Sequence, residues 1–166
     1  MISSNRVFEK LSEVFGRKII HTAINMGEPV VALDKGSIRE VLTFLRDDPE
    51  LSYQMLVELF AIDWQGQEPR FEIVYILRSL LHNGRVTVRA RCGEDGVKTV
   101  SDLWNAANWL EREAFDMFGI RFINHPELRR IYTDDDFEGF PLRKDFPLEG
   151  KDFDKPFTVH FKEEKA

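Results

Sequence analysis

Between residues 69 and 91 the chain alternates apolar and polar side chains on both sides of an Asn-Gly pair, and a stretch of that kind is satisfied almost only as two paired strands. Phe71, Ile73, Tyr75 and Leu77 alternate with Glu72, Val74, Ile76 and Arg78. After Asn83-Gly84, Val86, Val88 and Ala90 fall on one face, and Arg85, Thr87, Arg89 and Arg91 on the other. The spacing predicts a strand over 69–82, a two-residue type I′ turn at Asn83-Gly84 and a return strand. A sheet with one apolar face must be covered, and the flanking sequence offers helices to cover it.

Val7, Phe8, Leu11, Val14 and Phe15 follow helical spacing over 5–15, and Gly16 suits the stop. Residues 18–25 and 29–33 read as two short strands around a turn at Gly27. Ser37 and Glu40 have the spacing of a capping box ahead of Ile38, Val41, Leu42 and Leu45, so a second helix is expected there, ended by Asp47-Asp48-Pro49. Residues 55–61 form a near-continuous apolar run, short enough for a buried strand. Gly93-Glu94-Asp95-Gly96 reads as a loop. Ser101 is then expected to cap a third helix reaching Phe118, with Leu103, Ala107, Leu110, Ala114 and Met117 on one stripe. This order predicts an α+β domain over 1–123, a single mixed or antiparallel sheet with helices packed on one side.

From residue 124 the periodicity fails. Four of the seven prolines lie beyond that point, Pro126, Pro141, Pro147 and Pro156, and proline breaks both helices and central strands. Six of the fourteen phenylalanines lie there too: Phe137, Phe140, Phe146, Phe153, Phe157 and Phe161. A disordered tail would be poor in aromatic rings. The expectation is an extended arm over 124–166 that becomes ordered by lying on another protein.

A net charge of −6 with a pI near 5.3 argues against a nucleic-acid partner, which would need a basic face. No apolar run approaches the roughly 20 residues of a membrane span. Met1-Ile2-Ser3-Ser4-Asn5 does not resemble a secretory leader, and a cytosolic setting is expected. Cys92 is the only cysteine, so an internal disulfide is excluded and a self-contained iron–sulfur cluster is not expected. Asp134, Asp136, Glu138, Gly139 and Asp145 sit at calcium-loop positions, but Pro141, Arg143 and Lys144 interrupt the pattern. His21, His82, His125 and His160 lack ligand spacing, and His125 is held extended by Pro126. Glu111, Arg112, Glu113 and Asp116 could form a paired-carboxylate site or a solvated face with an Arg112–Asp116 pair. The aromatic residues around them, Trp104, Trp109, Phe115 and Phe118, favour a structural role tying the helix end to the arm. Arg129-Arg130 and Arg143-Lys144, each beside apolar residues in irregular chain, read as anchors on another protein.

The run Glu111-Arg112-Glu113, Phe115-Asp116-Met117-Phe118-Gly119-Ile120, Phe122, His125-Pro126 and Leu128-Arg129-Arg130-Ile131 resembles the defining motif of the thirty-kilodalton subunit of respiratory complex I, the NADH–quinone oxidoreductase. Gly139 and Pro141-Leu142-Arg143-Lys144-Asp145-Phe146-Pro147 are similar to a second block of that family. Phe137 and Phe140 stand where the family often has Trp and His. The resemblance implies a small α+β domain whose arm wraps the forty-nine-kilodalton quinone-site subunit, beside other peripheral-arm subunits on the cytoplasmic face of the inner membrane. It implies no catalytic residue, metal or cofactor in this chain, the FMN and iron–sulfur clusters belonging to the complex. Arg129, Arg130, Arg143, Lys144 and Asp145 would anchor the arm, and Phe137, Phe140 and Phe146 would fill the partner's pockets. Related chains serve in membrane-bound hydrogenases and other donor–quinone complexes.

Overall fold

A computed structural model describes residues 3–149. The first helix, α1 (Ser4–Phe15), begins where the Ser3 hydroxyl accepts from the Arg6 N–H at 3.3 Å and stops at Gly16. Two antiparallel strands follow, β1 (Ile19–Asn25) and β2 (Glu28–Leu33), then helix α2 (Ile38–Asp47). Strands β3 (Met55–Asp63), β4 (Phe71–Ser79) and β5 (Gly84–Cys92) complete a five-stranded sheet of order β1-β2-β5-β4-β3. Every neighbouring pair is antiparallel except β2 and β5, which run parallel. The sheet is therefore mixed, as expected.

One apolar core joins the helices to this sheet. Val7 and Leu11 of α1 and Ile38, Val41, Leu42 and Leu45 of α2 are buried against Phe71, Ile73, Tyr75 and Leu77 of β4. Val86, Val88 and Ala90 of β5 join them, so the alternation in the sequence marks the covered face. Each of the valine, leucine, isoleucine and phenylalanine side chains among these contributes about 1.5–3 kcal/mol by leaving water.

Four local expectations are corrected. The hairpin pairs Ser79 with Gly84, so its loop is four residues long, 80–83, and not the two-residue Asn83-Gly84 turn. Gly84 belongs to β5; Asn83 alone takes a positive φ, 45°, while Leu80 and Leu81 are exposed on the loop. At α2 the capping box does not form, because Asp34 accepts from the Gly36 N–H at 2.9 Å and starts a 3-10 turn over Lys35–Ser37. Ser37 is thereby drawn into a helical conformation, buried and without a capping bond, and Glu40 pairs with Lys18. The 55–61 run is not a buried strand but part of an edge strand, with Met55, Val57 and Phe60 exposed. The third helix, α3 (Asn105–Phe118), begins four residues after Ser101. Trp104 is held extended, its indole N–H donating to the Gln54 carbonyl at 2.9 Å, and helix can start only beyond it.

A second, two-stranded parallel sheet links the loop before α3 to the chain after it, pairing β6 (Val97–Lys98) with β7 (Phe122–Ile123). Residues 124–149 contain no helix or strand. Phe153, Phe157, Phe161 and Pro156 lie outside the described residues.

Candidate functional site

The charged face of α3 is its most buried one. Glu111 and Asp116 are fully inaccessible and Arg112 is 4% exposed, so the solvated-face reading is overturned. A buried charge needs partners: Asp116 and Arg112 find them on the segment returning after β7, and Glu111 finds them on the loop before α3.

Asp116 binds the returning segment. Its carboxylate accepts from the N–H groups of Ile131 at 2.9 Å, Tyr132 at 2.7 Å and Thr133 at 3.1 Å, and from the Thr133 hydroxyl. Arg130 Nη1 donates to it at 2.9 Å, so its ion pair is with Arg130 and not with Arg112. Burial pushes this carboxyl up, but the bonds from Thr133, Tyr132 and Ile131 outweigh burial and hold its pKa at about 2. Arg130 also donates to the Phe137 and Gly139 carbonyls at 3.2 and 3.0 Å, closing residues 130–139 into a loop around one guanidinium. Arg112 donates to the Arg129 and Arg130 carbonyls and lies 4.7 Å from the centre of the Trp109 ring.

Glu111 faces the other way. It accepts from the Val100 N–H at 2.7 Å and from the Thr99 hydroxyl, fixing the loop after β6. Desolvation, only partly offset by those bonds, raises its pKa to about 7. The His125 ring, equally buried, lies 3.9 Å away. One ring nitrogen meets the Asn108 carbonyl and the other accepts from the Glu127 N–H, which fixes a neutral tautomer. Burial lowers the imidazole pKa further. Glu113 is half-buried and Pro126 exposed.

Gly119 ends α3 in the left-handed conformation, φ 75°, its N–H donating to Phe115 at 2.8 Å. A Cβ there would lie 2.5 Å from Arg143 Nη2 and 2.6 Å from the Phe140 ring. The helix end is thus a socket for residues 140–143. Arg143 donates to the Phe118 carbonyl and to Glu94, both at 2.7 Å, and stacks 4.4 Å from the centre of Phe140. Further along, Arg70 is forked between Asp63 and Asp145, and Asp63 also accepts from the Lys144 N–H at 2.9 Å.

Three of the five residues expected to anchor the arm on another protein hold partners in their own domain. Arg130 reaches the buried Asp116 carboxylate, Arg143 the Phe118 carbonyl at the helix end, and Asp145 the Arg70 guanidinium. Phe137 and Phe146 stack on each other at 5.8 Å, and Phe140 lies over Gly119; all three remain half-buried. Arg129, which pairs with Glu127, and the Lys144 side chain are exposed. The acidic residues Asp134, Asp135, Asp136 and Glu138 are exposed. Asp63, Arg70 and Glu94 carry no signal in the sequence, where nothing brings 63, 70, 94 and 145 together.

The family model described as "Respiratory-chain NADH dehydrogenase, 30 Kd subunit" matches residues 31–152. The NADH-quinone oxidoreductase C-subunit of Citrifermentans bemidjiense is 46% identical over 154 residues, 92% of this chain and 94% of that one. The protein of the same name from Geotalea uraniireducens is 43% identical over 92% of this chain and 93% of its own. Among solved structures, a trypsin-resistant fragment (1-134) of Nqo5 superposes with a TM-score of 0.64 at 29% identity, covering 74% of this chain and 99% of that one. A chain of an archaeal membrane-bound sulfane sulfur reductase superposes at 0.73 and 21% identity over 98% of both, a likeness of fold. With its motif residues buried at the end of α3 and a family model spanning most of its length, the chain belongs to the family of the 30 kDa subunit of respiratory-chain NADH dehydrogenase.

Proposed function

We propose that this chain is a non-catalytic structural subunit of the peripheral arm of proton-pumping NADH–quinone oxidoreductase, seated on the forty-nine-kilodalton quinone-site subunit at the cytoplasmic face of the inner membrane. The observation that carries this reading is the use to which the motif carboxylates are put. Asp116 and Glu111 are filled by donors from their own chain and hold irregular backbone in one shape. Rigid irregular backbone with half-buried rings is a surface prepared for a partner, since little ordering entropy remains to be lost on docking. The partner face of the arm comprises Phe137, Phe140 and Phe146 with the outward charges of Arg129 and Lys144. Its task is to stiffen the quinone-site subunit while electrons pass from NADH to quinone, and it holds no cofactor. The name shared by the relatives favours NADH as the donor over the equivalent role in a membrane-bound hydrogenase.

Removing residues 124–166 would strip Asp116 of its donors, so surface variants make the better test. Arg129→Glu with Lys144→Glu, and separately Phe137→Ala with Phe146→Ala, should leave a folded chain but lower the amount of assembled complex. NADH–quinone reductase activity per assembled complex should stay unchanged. Normal assembly in both double variants, or a turnover defect in fully assembled complex, overturns the proposal.

A further inference from the structure

Beside α3 lies an open groove of about 860 Å³, lined in part by Asn124 and Pro126 at the start of the arm and not filled by the arm's described residues. The ends of β6 and β7 form one wall with Lys98, Ile123 and Asn124; Asn105, Asn108 and Trp109 of α3 form the other. We infer that this groove receives a peptide segment of a neighbouring subunit, one that lays an apolar side chain on Trp109 and a carboxylate on Lys98. The inference rests on the proposed role as a subunit and names a second contact of that subunit.

Trp109 is 62% exposed and Ile123 48%, large apolar side chains on the two walls of a groove lined mostly by polar residues. The Trp109 ring is held in place by Arg112, itself pinned by two arm carbonyls, so its pose is fixed before any partner arrives. A fixed, exposed tryptophan is the residue type that most often dominates a binding surface. Amides of Asn105 and Asn108 and the hydroxyl of Ser101 line the groove with groups suited to a partner's backbone.

Charge decides the occupant. Arg39 in the groove is forked onto Asp102 and cancels it. Lys98 is exposed and forms no ion pair among the described residues, so the groove keeps one cation in a chain of net charge −6. An extended segment with an apolar and an acidic residue matches that pattern; a basic or purely apolar one does not. Asn124 adds a structural mark: it takes a positive φ of 66° at the entry to His125-Pro126, shaping the wall by a conformation that side chains rarely adopt.

The purified whole complex provides the test. Lys98 should be acetylated roughly tenfold or more slowly there than after denaturation, because an exposed lysine is slowed only by a cover. A zero-length carbodiimide should couple Lys98 to an Asp or Glu of another subunit. Trp109→Ala should raise the loss of the chain in a salt wash by roughly thirtyfold. Lys98→Glu should do likewise, and Lys98→Arg should restore retention. Full reactivity of Lys98 in complex that contains the chain, coupling only within the chain or to a second copy, or protection without an acidic coupling partner each overturns the inference. Failure of the subunit reading itself would show differently, as no complex containing the chain.

Discussion

Replacing Asp116 by Asn tests the keystone directly. The carboxylate takes three backbone N–H groups, one hydroxyl and one guanidinium, all on residues 130–133. An amide keeps one acceptor oxygen and turns an NH2 group toward donors, leaving Arg130 without its counter-charge. Two routes give the cost. A carboxyl held at about 2 instead of the usual 3.8 is worth about 2.4 kcal/mol at neutral pH. Breaking a buried ion pair on one side costs about 3–5 kcal/mol. A loss near 3 kcal/mol follows, and a domain of this size should melt roughly 6–12 °C lower. The sign with pH is fixed: the folded-state pKa is depressed, so the contribution is whole above the unfolded value near 3.9 and is lost as pH falls toward 2. Urea denaturation of wild type and Asp116→Asn at pH 7 and pH 3 reads both effects, and trypsin cleavage after Arg129 and Arg130 should accelerate in the variant. A difference under about 0.5 kcal/mol at pH 7, or one independent of pH, would refute the reasoning.

Glu111→Gln carries the opposite pH signature. Burial raises its folded pKa to about 7, so its stabilisation is whole below the unfolded value and is lost as pH rises through 7. The penalty of the amide should therefore shrink by about 3 kcal/mol between pH 4 and pH 8 in denaturant titrations. Gly119→Ala must take φ 75° and push its Cβ into Arg143 and Phe140, and should cost about 2–4 kcal/mol with faster hydrogen exchange at the Leu142 N–H, which donates to Met117. The thiol of Cys92, pushed up to about 12 by burial, should resist alkylation at pH 8 until urea unfolds the chain.

The parts of this fold legible in the sequence are those where burial imposes a period. Strands β4 and β5 show it because one face is covered and the side chains must alternate. The turn between them is not legible, because Leu80 and Leu81 look like continuing strand and register is set by pairing that no local window contains. The start of α2 at Ile38 is legible but its cap is not, and the start of α3 is hidden, for a related reason: Asp34 and Trp104 act through bonds to Gly36 and Gln54 that displace the nearer serines. At the site, the motif identifies which residues matter and the clustering of aromatic rings suggests that they are not solvated. Three of the donors to Asp116 are invisible, being backbone N–H groups of Ile131, Tyr132 and Thr133, which have no sequence signature. Arg130 and Arg143 read as anchors on a foreign protein, and nothing local shows that the Asp116 carboxylate and the Phe118 carbonyl of α3 lie within their reach.

The parallel pairing of β2 with β5 has a consequence for synthesis. The first hairpin leaves the ribosome with only one neighbour, and its second, β5, is encoded some fifty residues later. At ~5–20 residues per second this leaves β1 and β2 unsupported for about 3–10 s. Val31 and Leu33, buried in the finished fold, are then open to water and to other nascent chains. The N-terminal third of the molecule, made first, is the part that must wait longest for a home.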